Sequence, residues 1–223
     1  KFIKILNYLS MNFIKRIRGR DMRQIKVGVI GFGAVGMGTV KALWNQKEEI
    51  EKELGVGIKV VKIVDKEWMI GRPMVVPPDI KSSDPMEVID DPEIEIVVEA
   101  VGGIDPAFEY VSQALNRGKT VITPNKELIA KKGRELFQLA AQNETDLYFE
   151  GAVGGGIPII HSLKEQLLGD DILEVVGIVN GTTNYILSEM SLRKTSFEKA
   201  LEEAKRKGFA EPIPTNDIEG FDS

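Results

Sequence analysis

Residues 25–36 read Ile-Lys-Val-Gly-Val-Ile-Gly-Phe-Gly-Ala-Val-Gly. The first six form an apolar run that is typical of a buried parallel strand. They lead directly into Gly31-x-Gly33-x-x-Gly36, and a helical pattern begins at Ala34. A dinucleotide-binding fingerprint requires this order of strand, turn and helix. The stretch therefore predicts a nucleotide site, and a purely structural glycine-rich turn is the alternative.

The three glycines of this turn have different predicted roles. Gly31 permits the tight turn, Gly33 lets a pyrophosphate approach the backbone, and Gly36 lets the helix pack close to the strand. The N-terminus of the helix then faces the phosphate charge. The candidate cofactor-binding residues here are Gly31, Phe32, Gly33, Ala34, Val35 and Gly36.

Strand and helix patterns alternate after this turn. One long helix is predicted over residues 34–54, and strands over 58–64, 94–101, 120–122 and 147–149. Such alternation predicts an α/β fold of the Rossmann type, with a doubly wound parallel sheet and right-handed crossovers. Length favours one nucleotide-binding domain over residues 25–150. Beyond it, we predict a strand over residues 172–179 and a helix capped by Thr195, with Glu198 three residues later.

The composition excludes several kinds of chemistry. The chain has no cysteine and one histidine, so thiolate nucleophiles, disulfides and multi-histidine metal sites are excluded. The net charge of −5 argues against nucleic-acid partners for the folded part. No apolar run reaches the length of a membrane span. We expect no membrane partner, and a cytoplasmic location, which the lack of cysteine permits.

The first 24 residues differ from the rest in charge. They hold seven Lys or Arg side chains against one acid, whereas the remaining residues hold 22 against 33. Three explanations stay open for residues 1–24: sequence upstream of a native start near Met22, a basic amphipathic helix that contacts a partner or a membrane surface, or a targeting leader.

Several polar residues follow predicted strands, at the sheet edge where ligands bind in open α/β folds. Asp65 closes the second strand, where an acid accepts hydrogen bonds from the adenosine ribose; capping a turn is the alternative. Lys66 beside it suits a 2′-phosphate instead. Val101 ends the predicted strand over residues 94–101, and Gly102 follows it. Thr123 follows the strand over 120–122, and Lys126 is a candidate substrate anchor or a solvated surface lysine. Near the C-terminus an acidic cluster suits an ammonium group or a metal, or else a solvated loop: Glu211, Asp217, Glu219 and Asp222.

Taken together, these segments resemble homoserine dehydrogenase from about Ile25 to Ser223. The resemblance rests on ordered motifs, which are Gly31–Gly36, Glu99-Ala100-Val101-Gly102-Gly103, Thr123-Pro124-Asn125-Lys126, Gly151–Pro158, Asn180-Gly181-Thr182-Thr183-Asn184-Tyr185 and Gly208-Phe209-Ala210-Glu211 through Asp222. It implies NAD- or NADP-dependent interconversion of L-homoserine and L-aspartate 4-semialdehyde, in the biosynthesis of threonine, methionine and isoleucine. It also implies a homodimer, with residues 151–223 as part of a substrate-binding and dimerisation domain.

The same resemblance implies roles for individual residues. Lys126 lies near the nicotinamide and the substrate, and Lys126 and Asp222 act in catalysis. Glu211, Asp217 and Asp222 hold the amino acid, with Glu211 at its ammonium group. A monovalent cation such as sodium is bound through backbone carbonyls at Glu150, Val153, Gly155 and Ile157.

Two departures from the family pattern affect these expectations. Phe209 stands where the family usually has tyrosine, and the family's proton-transferring lysine falls beyond Ser223. We therefore expect a fragment that binds cofactor weakly and turns over poorly or not at all. A non-catalytic dinucleotide-binding sensor is the alternative function. Aspartate-semialdehyde dehydrogenase is a third reading, and the lack of a cysteine nucleophile argues against it.

Overall fold

A computed structural model describes residues 23–68, 73–177, 180–210 and 214–220, with only the backbone at Asn216 and Asp217. The predictions for residues 1–22 therefore lie outside the described part of the chain. Two compact units divide the chain between Phe149 and Glu150. Among the described residues, no helix combines the length and the apolar character needed to cross a bilayer.

The first unit is built on a parallel sheet of six strands in the order β3-β2-β1-β4-β5-β6. The sheet reverses its strand order beside β1, and a crevice forms at such a reversal outside the carboxyl ends of the strands. This order confirms the predicted doubly wound fold. The strands are β1 (Gln24–Ile30), β2 (Gly57–Val64), β3 (Lys81–Ser82), β4 (Ile96–Glu99), β5 (Thr120–Ile122) and β6 (Leu147–Tyr148).

Helices connect the strands of this unit. The predicted single helix over residues 34–54 is wrong, because Gln46, with φ of −103° and ψ of 14°, separates two helices. The first of them buries Gly36 and Val40, whereas the second buries no residue completely. The helices are α1 (Ala34–Asn45), α2 (Lys47–Leu54), α3 (Met86–Ile89), α4 (Ala107–Asn116) and α5 (Lys126–Gln142), with a 3-10 turn at Pro78–Ile80.

The core of the first unit has two layers, one on each face of the sheet. Successive residues of a strand point to opposite faces. In β4, Val97 accordingly packs in one layer and Val98 in the other. Helices α3, α4 and α5 contribute side chains to the first layer, and α1 contributes Val40 to the second. Both faces of the sheet are therefore covered, which leaves its strand ends as the place for a ligand.

The second unit is helical in its described part. A small core of Ile186, Ala200, Ala204 and Ala210 joins two of its helices and the residues after them. Its elements are a 3-10 turn (Glu150–Ala152), α6 (Ile159–His161) with a wider turn over Ser162–Gln166, α7 (Gly181–Arg193), α8 (Phe197–Lys207) and α9 (Thr215–Ile218).

Two predictions for this unit are wrong. Residues 172–177 form no strand, and Leu173 and Val176 are 95% and 84% exposed; residues 178 and 179 lie outside the described part. A strand needs a neighbouring strand for its backbone hydrogen bonds, and no strand occurs in the described residues of this unit. The cap of α8 is Ser196 and not Thr195: the Ser196 hydroxyl oxygen accepts a hydrogen bond from the Lys199 N–H.

Candidate functional site

The turn between β1 and α1 requires glycine at two of its positions. Gly31 has a φ of +99°, and its N–H donates to the Val64 carbonyl at 2.9 Å. A Cβ at Gly31 would lie 2.5 Å from the Ala100 carbonyl oxygen. A Cβ at Gly36 would lie 1.9 Å from the Gly31 carbonyl oxygen. A larger residue at Gly31 would therefore push the turn away from the end of β4, and one at Gly36 would push the helix away from the turn.

Gly33 differs from its two neighbours because its surroundings are open. A Cβ at Gly33 would meet no protein atom within 4 Å, and its φ of −72° is available to any residue. The protein itself therefore places no demand for glycine at this position. The open space at Gly33 is therefore compatible with the close approach of a ligand that the sequence predicts.

The N-terminus of α1 points hydrogen-bond donors at this open space. Gly33 is the residue before the helix, and no side chain caps it. The first N–H groups of a helix have no partner within the helix, and they bind phosphate readily together with the helix dipole. The N–H groups of Ala34 and Val35 belong to this first turn, so the backbone here suits a pyrophosphate.

A cleft with a volume of about 310 Å³ lies beside the glycine turn. It brings together six residues that the sequence analysis considers for the cofactor site, namely Gly31, Phe32, Gly33, Asp65, Lys66 and Val101. The other predicted residues of the first unit do not line it: Ala34, Val35, Gly36, Gly102, Thr123 and Lys126. Residues that the sequence analysis did not assign to the cleft also form its walls, among them Glu67, Pro85, Pro106 and Tyr110.

Asp65 caps the turn after β2 and also lines the cleft. Its Oδ1 accepts a hydrogen bond from the Glu67 N–H at 2.8 Å, which is a turn cap. Its backbone N–H donates to the Ser82 carbonyl at 3.1 Å, which extends the sheet beyond β2. A carboxylate has acceptor capacity on both oxygens, and Asp65 lines the cleft. Capping the turn thus holds the carboxylate at the edge of the cleft.

In the glycine turn, Phe32 packs against the ring of Trp68. Phe32 is buried, and its ring lies 5.5 Å from the ring of Trp68, centre to centre. Trp68 Nε1 donates to the Ser82 carbonyl at 2.6 Å, and Lys81 Nζ lies 4.9 Å above the Trp68 ring. Sequence analysis missed Trp68, which follows the predicted strand over residues 58–64. A large aromatic side chain shortly after a strand end was the available signal.

The ends of β4 and β5 are joined by a buried carboxylate that the sequence analysis did not single out as a site residue. Glu99 is 0% exposed, and its Oε2 accepts from the Thr123 hydroxyl at 2.5 Å. Thr123 is itself 1% exposed, so it does not face the cleft. Lys126, three residues later, is the exposed first residue of α5. Thr123 thus lies beneath the surface that carries Lys126.

In the second unit, several polar atoms of the predicted cation-binding segment, residues 150–157, already accept hydrogen bonds. The Glu150 carboxylate accepts from the Ile160 and His161 N–H groups at 3.0 and 2.8 Å, and so caps α6. The carbonyl oxygens of Glu150 and Ile157 accept from the N–H groups of Val153 and Ile159 at 3.2 and 2.8 Å. A carbonyl oxygen has a second lone pair, which leaves acceptor capacity on each.

The predicted acidic cluster falls largely outside the described residues. Glu211 and Asp222 lie outside them, and Asp217 is described only by its backbone in α9. Across residues 23–68, 73–177, 180–210 and 214–220, no group of three or more His, Asp or Glu side chains is arranged to hold a metal ion.

The residues that precede Glu211 are tied to the start of α7. The Thr182 hydroxyl donates to the Phe209 carbonyl at 2.6 Å, and the Phe209 ring lies 5.0 Å from the Tyr185 ring. Lys207 Nζ donates to the Tyr185 hydroxyl at 2.9 Å, and this hydrogen bond, together with Glu203, raises the pKa of Lys207. Phe209 of the Gly-Phe-Ala-Glu motif thus contacts Thr182 and Tyr185 of the Asn-Gly-Thr-Thr-Asn-Tyr motif.

Comparison with known families gives two matches along the chain. Residues 31–150 match the model of the homoserine dehydrogenase NAD-binding domain, and residues 158–223 match the homoserine dehydrogenase model. The homoserine dehydrogenase of Bacillus subtilis is 40% identical over 202 residues, which are 91% of this chain and 47% of that protein. That of Pseudomonas aeruginosa is 41% identical over 210 residues. The chain spans about half the length of the curated relatives it matches.

Solved structures agree with these matches. A homoserine dehydrogenase from Thiobacillus denitrificans has a TM-score of 0.82 and 44% identity, covering 91% of this chain and 47% of that one. A hyperthermophilic archaeal homoserine dehydrogenase in complex with NADPH has a TM-score of 0.71 and 32% identity, covering 90% of this chain and 66% of that one.

Proposed function

The chain belongs to the homoserine dehydrogenase family, and on that basis we propose that it contributes the nucleotide-binding part of an NAD(P)-dependent oxidoreductase. The reaction is the interconversion of L-homoserine and L-aspartate 4-semialdehyde. The observation that carries the proposal is the open space at Gly33, next to a glycine turn that the protein packs tightly at Gly31 and Gly36. The match over residues 158–223 favours an enzyme over a sensor that retains only the nucleotide domain.

The proposed cofactor is NAD or NADP, bound across the carboxyl ends of the strands. The pyrophosphate lies at the N-terminus of α1, beside Gly33, and the adenosine ribose lies at Asp65 and Lys66. The nicotinamide then extends toward the ends of β4 and β5, where Gly102, Thr123 and Lys126 stand. The cleft beside Gly31 supports this orientation because it connects the glycine turn with Asp65 and Val101.

Hydride transfer is the chemistry that the cofactor supplies when it is bound. The protein binds and orients the substrate and controls its proton. We assign Lys126 Nζ to the hydroxyl or aldehyde oxygen of the substrate, where a charge-assisted hydrogen bond holds the oxygen. Glu211 is assigned to the substrate ammonium group, and Asp217 and Asp222 to the remaining polar contacts, with Asp222 acting in catalysis.

The proposal extends to the organisation of the protein. We propose residues 25–150 as the nucleotide-binding domain, residues 151–223 as part of a substrate-binding and dimerisation domain, and residues 1–24 as a basic extension. The carbonyl groups of Glu150, Val153, Gly155 and Ile157 are the proposed monovalent-cation ligands. A homodimer in the cytoplasm is the proposed form, with a small amino acid as the partner molecule.

The test is homoserine-dependent reduction of NAD or NADP by the native polypeptide that carries these residues, followed by absorbance of the reduced nicotinamide. Glu211→Ala should raise KM for homoserine roughly 100-fold, since it removes one partner of a charge pair. Binding of the cofactor should stay unchanged. Glu202→Ala on the exposed face of α8 is the control and should behave as wild type.

Two results would contradict the proposal. Lack of any homoserine-dependent turnover by the native polypeptide would remove the assigned reaction. Full activity in Glu211→Ala would instead leave the reaction standing and remove the assigned ammonium site.

A further inference from the structure

The starting observation is a charged side chain that the sheet buries completely. Glu99 ends β4 and is 0% exposed. A buried carboxylate is costly unless hydrogen-bond donors surround it. Glu99 has three: the Val101 and Gly102 N–H groups donate to Oε1 at 2.7 and 3.3 Å, and the Thr123 hydroxyl donates to Oε2 at 2.5 Å. One oxygen therefore serves the loop after β4, and the other serves the loop after β5.

The hydrogen bonds continue from Thr123 into the start of α5. Thr123 Oγ1 accepts from the Asn125 N–H at 3.0 Å. Asn125 Oδ1 caps α5 by accepting from the Leu128 N–H at 3.0 Å, and its Nδ2 donates to the Gly103 carbonyl at 2.5 Å. The path therefore returns to the loop after β4 and forms a closed ring between the two loops.

The loop after β4 needs such support because its backbone has an unusual shape. Gly102 and Gly103 have φ values of +81° and +70°. Glycine loses more conformational freedom on ordering than any other residue, so two successive glycines do not hold one shape by themselves. The Gly102 N–H and the Gly103 carbonyl are both held by this ring.

We infer that Glu99 is a positioning residue for the nicotinamide side of the proposed site. Its carboxylate fixes the Gly102–Gly103 loop relative to the N-terminus of α5, and so fixes where Lys126 begins its helix. The inference rests on the proposed function, because that function assigns Gly102 and Lys126 to the nicotinamide side. Glu99 is not among the residues that line the cleft beside Gly31, so it acts through the two loops.

A buried lysine that forms hydrogen bonds at the opposite end of the same strands provides a matched control. Lys119 precedes β5 and is 5% exposed; its Nζ donates to the Asp91 carbonyl and, at 2.7 Å, to the Ile94 carbonyl, both before β4. Glu99 and Lys119 thus join neighbouring parts of the sheet at opposite strand ends. Only the Glu99 end faces the proposed ligand.

The test uses Glu99→Gln and Thr123→Val, with Lys119→Met as the control. In Glu99→Gln, an amide NH₂ group replaces the carboxylate oxygen that accepts from the Thr123 hydroxyl. In Thr123→Val, a methyl group replaces that hydroxyl with little change of side-chain shape. Affinity is measured for NADH and NADPH, and for ADP-ribose as a probe of the adenosine side. Both variants should weaken NAD(P)H binding about 10- to 100-fold, the usual size of a lost hydrogen bond to a charged group. ADP-ribose binding should stay within about twofold of wild type.

The other variants separate positioning from stability. Thr123→Ser keeps the hydroxyl and should bind NAD(P)H as wild type does. Lys119→Met should lower Tm and leave the affinities for NAD(P)H and ADP-ribose unchanged. Equal losses of NAD(P)H and ADP-ribose affinity would show a merely structural role and overturn the inference. Wild-type affinity in both Glu99→Gln and Thr123→Val would overturn it as well. A native polypeptide that carries these residues and binds NAD(P)H without oxidising homoserine would instead contradict the proposed function and leave this measurement valid.

Discussion

At the scale of single residues, the fold requires glycine at two positions of the glycine turn, and the proposed ligand requires it at the third. Gly31 and Gly36 would clash with backbone atoms of the protein if they carried a Cβ, whereas Gly33 would not. Gly38 in α1 is also free of such contacts, and it does not line the cleft beside Gly31. Substitutions at Gly33 and Gly38 therefore compare a position in the proposed ligand site with one outside it.

Gly33→Val should weaken NAD(P)H binding roughly 100-fold, a loss of about 3 kcal/mol, because its branched side chain occupies the space of the pyrophosphate. Thermal unfolding should show a Tm close to that of wild type. Gly38→Val is the control, with binding expected to stay at the wild-type level. Equal binding by both variants, measured by titration calorimetry, would place the pyrophosphate elsewhere.

Lys119 illustrates how burial alters a charge. Desolvation lowers the pKa of Lys119, while the nearby Asp91 opposes that shift. The unfolded chain then holds this proton more tightly than the folded protein. Between the lowered folded pKa and the ordinary value of 10.5, the contribution of Lys119 to stability should increase as pH rises.

Lys119→Met should destabilise the protein by about 1–3 kcal/mol near neutral pH, since it leaves the carbonyl groups of Asp91 and Ile94 without their donor. The free-energy gap between wild type and variant should widen as pH approaches 10.5. Urea unfolding at several pH values measures this gap. A gap that narrows with rising pH would contradict the assigned direction of the shift.

At the scale of elements, the caps of the helices depend on the backbone more than on the sequence pattern. Thr195 and Glu198 have the spacing of a capping box, yet the helix begins one residue later and Ser196 caps it. Asn125 and Asn180 cap α5 and α7 through their side-chain oxygens. Serine is a somewhat better cap than threonine, and the extended backbone of Ser196 places its hydroxyl at the cap position.

Ser196→Ala should reduce stability by about 1 kcal/mol, the usual effect of losing a helix cap. Thr195→Ala should have a smaller effect, because Thr195 precedes the cap. Thermal unfolding of the second unit, followed by circular dichroism, compares the two. A larger loss in Thr195→Ala would restore the cap that the sequence pattern predicts.

At the scale of the whole molecule, the sheet assembles the site from distant parts of the chain. The cleft takes residues from the ends of β1, β2 and β4, which span Ile30 to Val101 in the sequence. A ligand bound there should stabilise these strand ends together, since binding to the folded state alone adds about 2.7 kcal/mol at one hundred times Kd.

Saturating NADPH should therefore slow amide hydrogen exchange at residues 31–37, at Asp65–Glu67 and at Ala100–Gly102. Residues 90–95 and 117–119, at the opposite strand ends, serve as the internal control and should change little. Protection that appears mainly at this control edge would contradict the proposed orientation of the cofactor.

Sequence alone determined five of the six strands of the first unit and their alternation with helices, the glycine turn and the family. These features depend on local periodicity and on short motifs, which neighbouring residues carry without help from the rest of the fold. The short elements β3 and α3, which lie between β2 and β4, were not predicted. The break at Gln46, the cap at Ser196 and the missing strand at residues 172–177 could not be predicted, because backbone geometry and strand partners decide them.

Only the tertiary structure decided which side chains act together at the end of the sheet. Glu99 and Thr123 are 24 residues apart in the chain, and two helices and one strand separate Trp68 from the turn that it contacts. No regular spacing in the sequence predicts such partners, because the sheet places distant parts of the chain next to one another. The glycine turn thus predicts that a nucleotide binds, whereas packing between β4 and β5 determines how the loops on its reactive side are held.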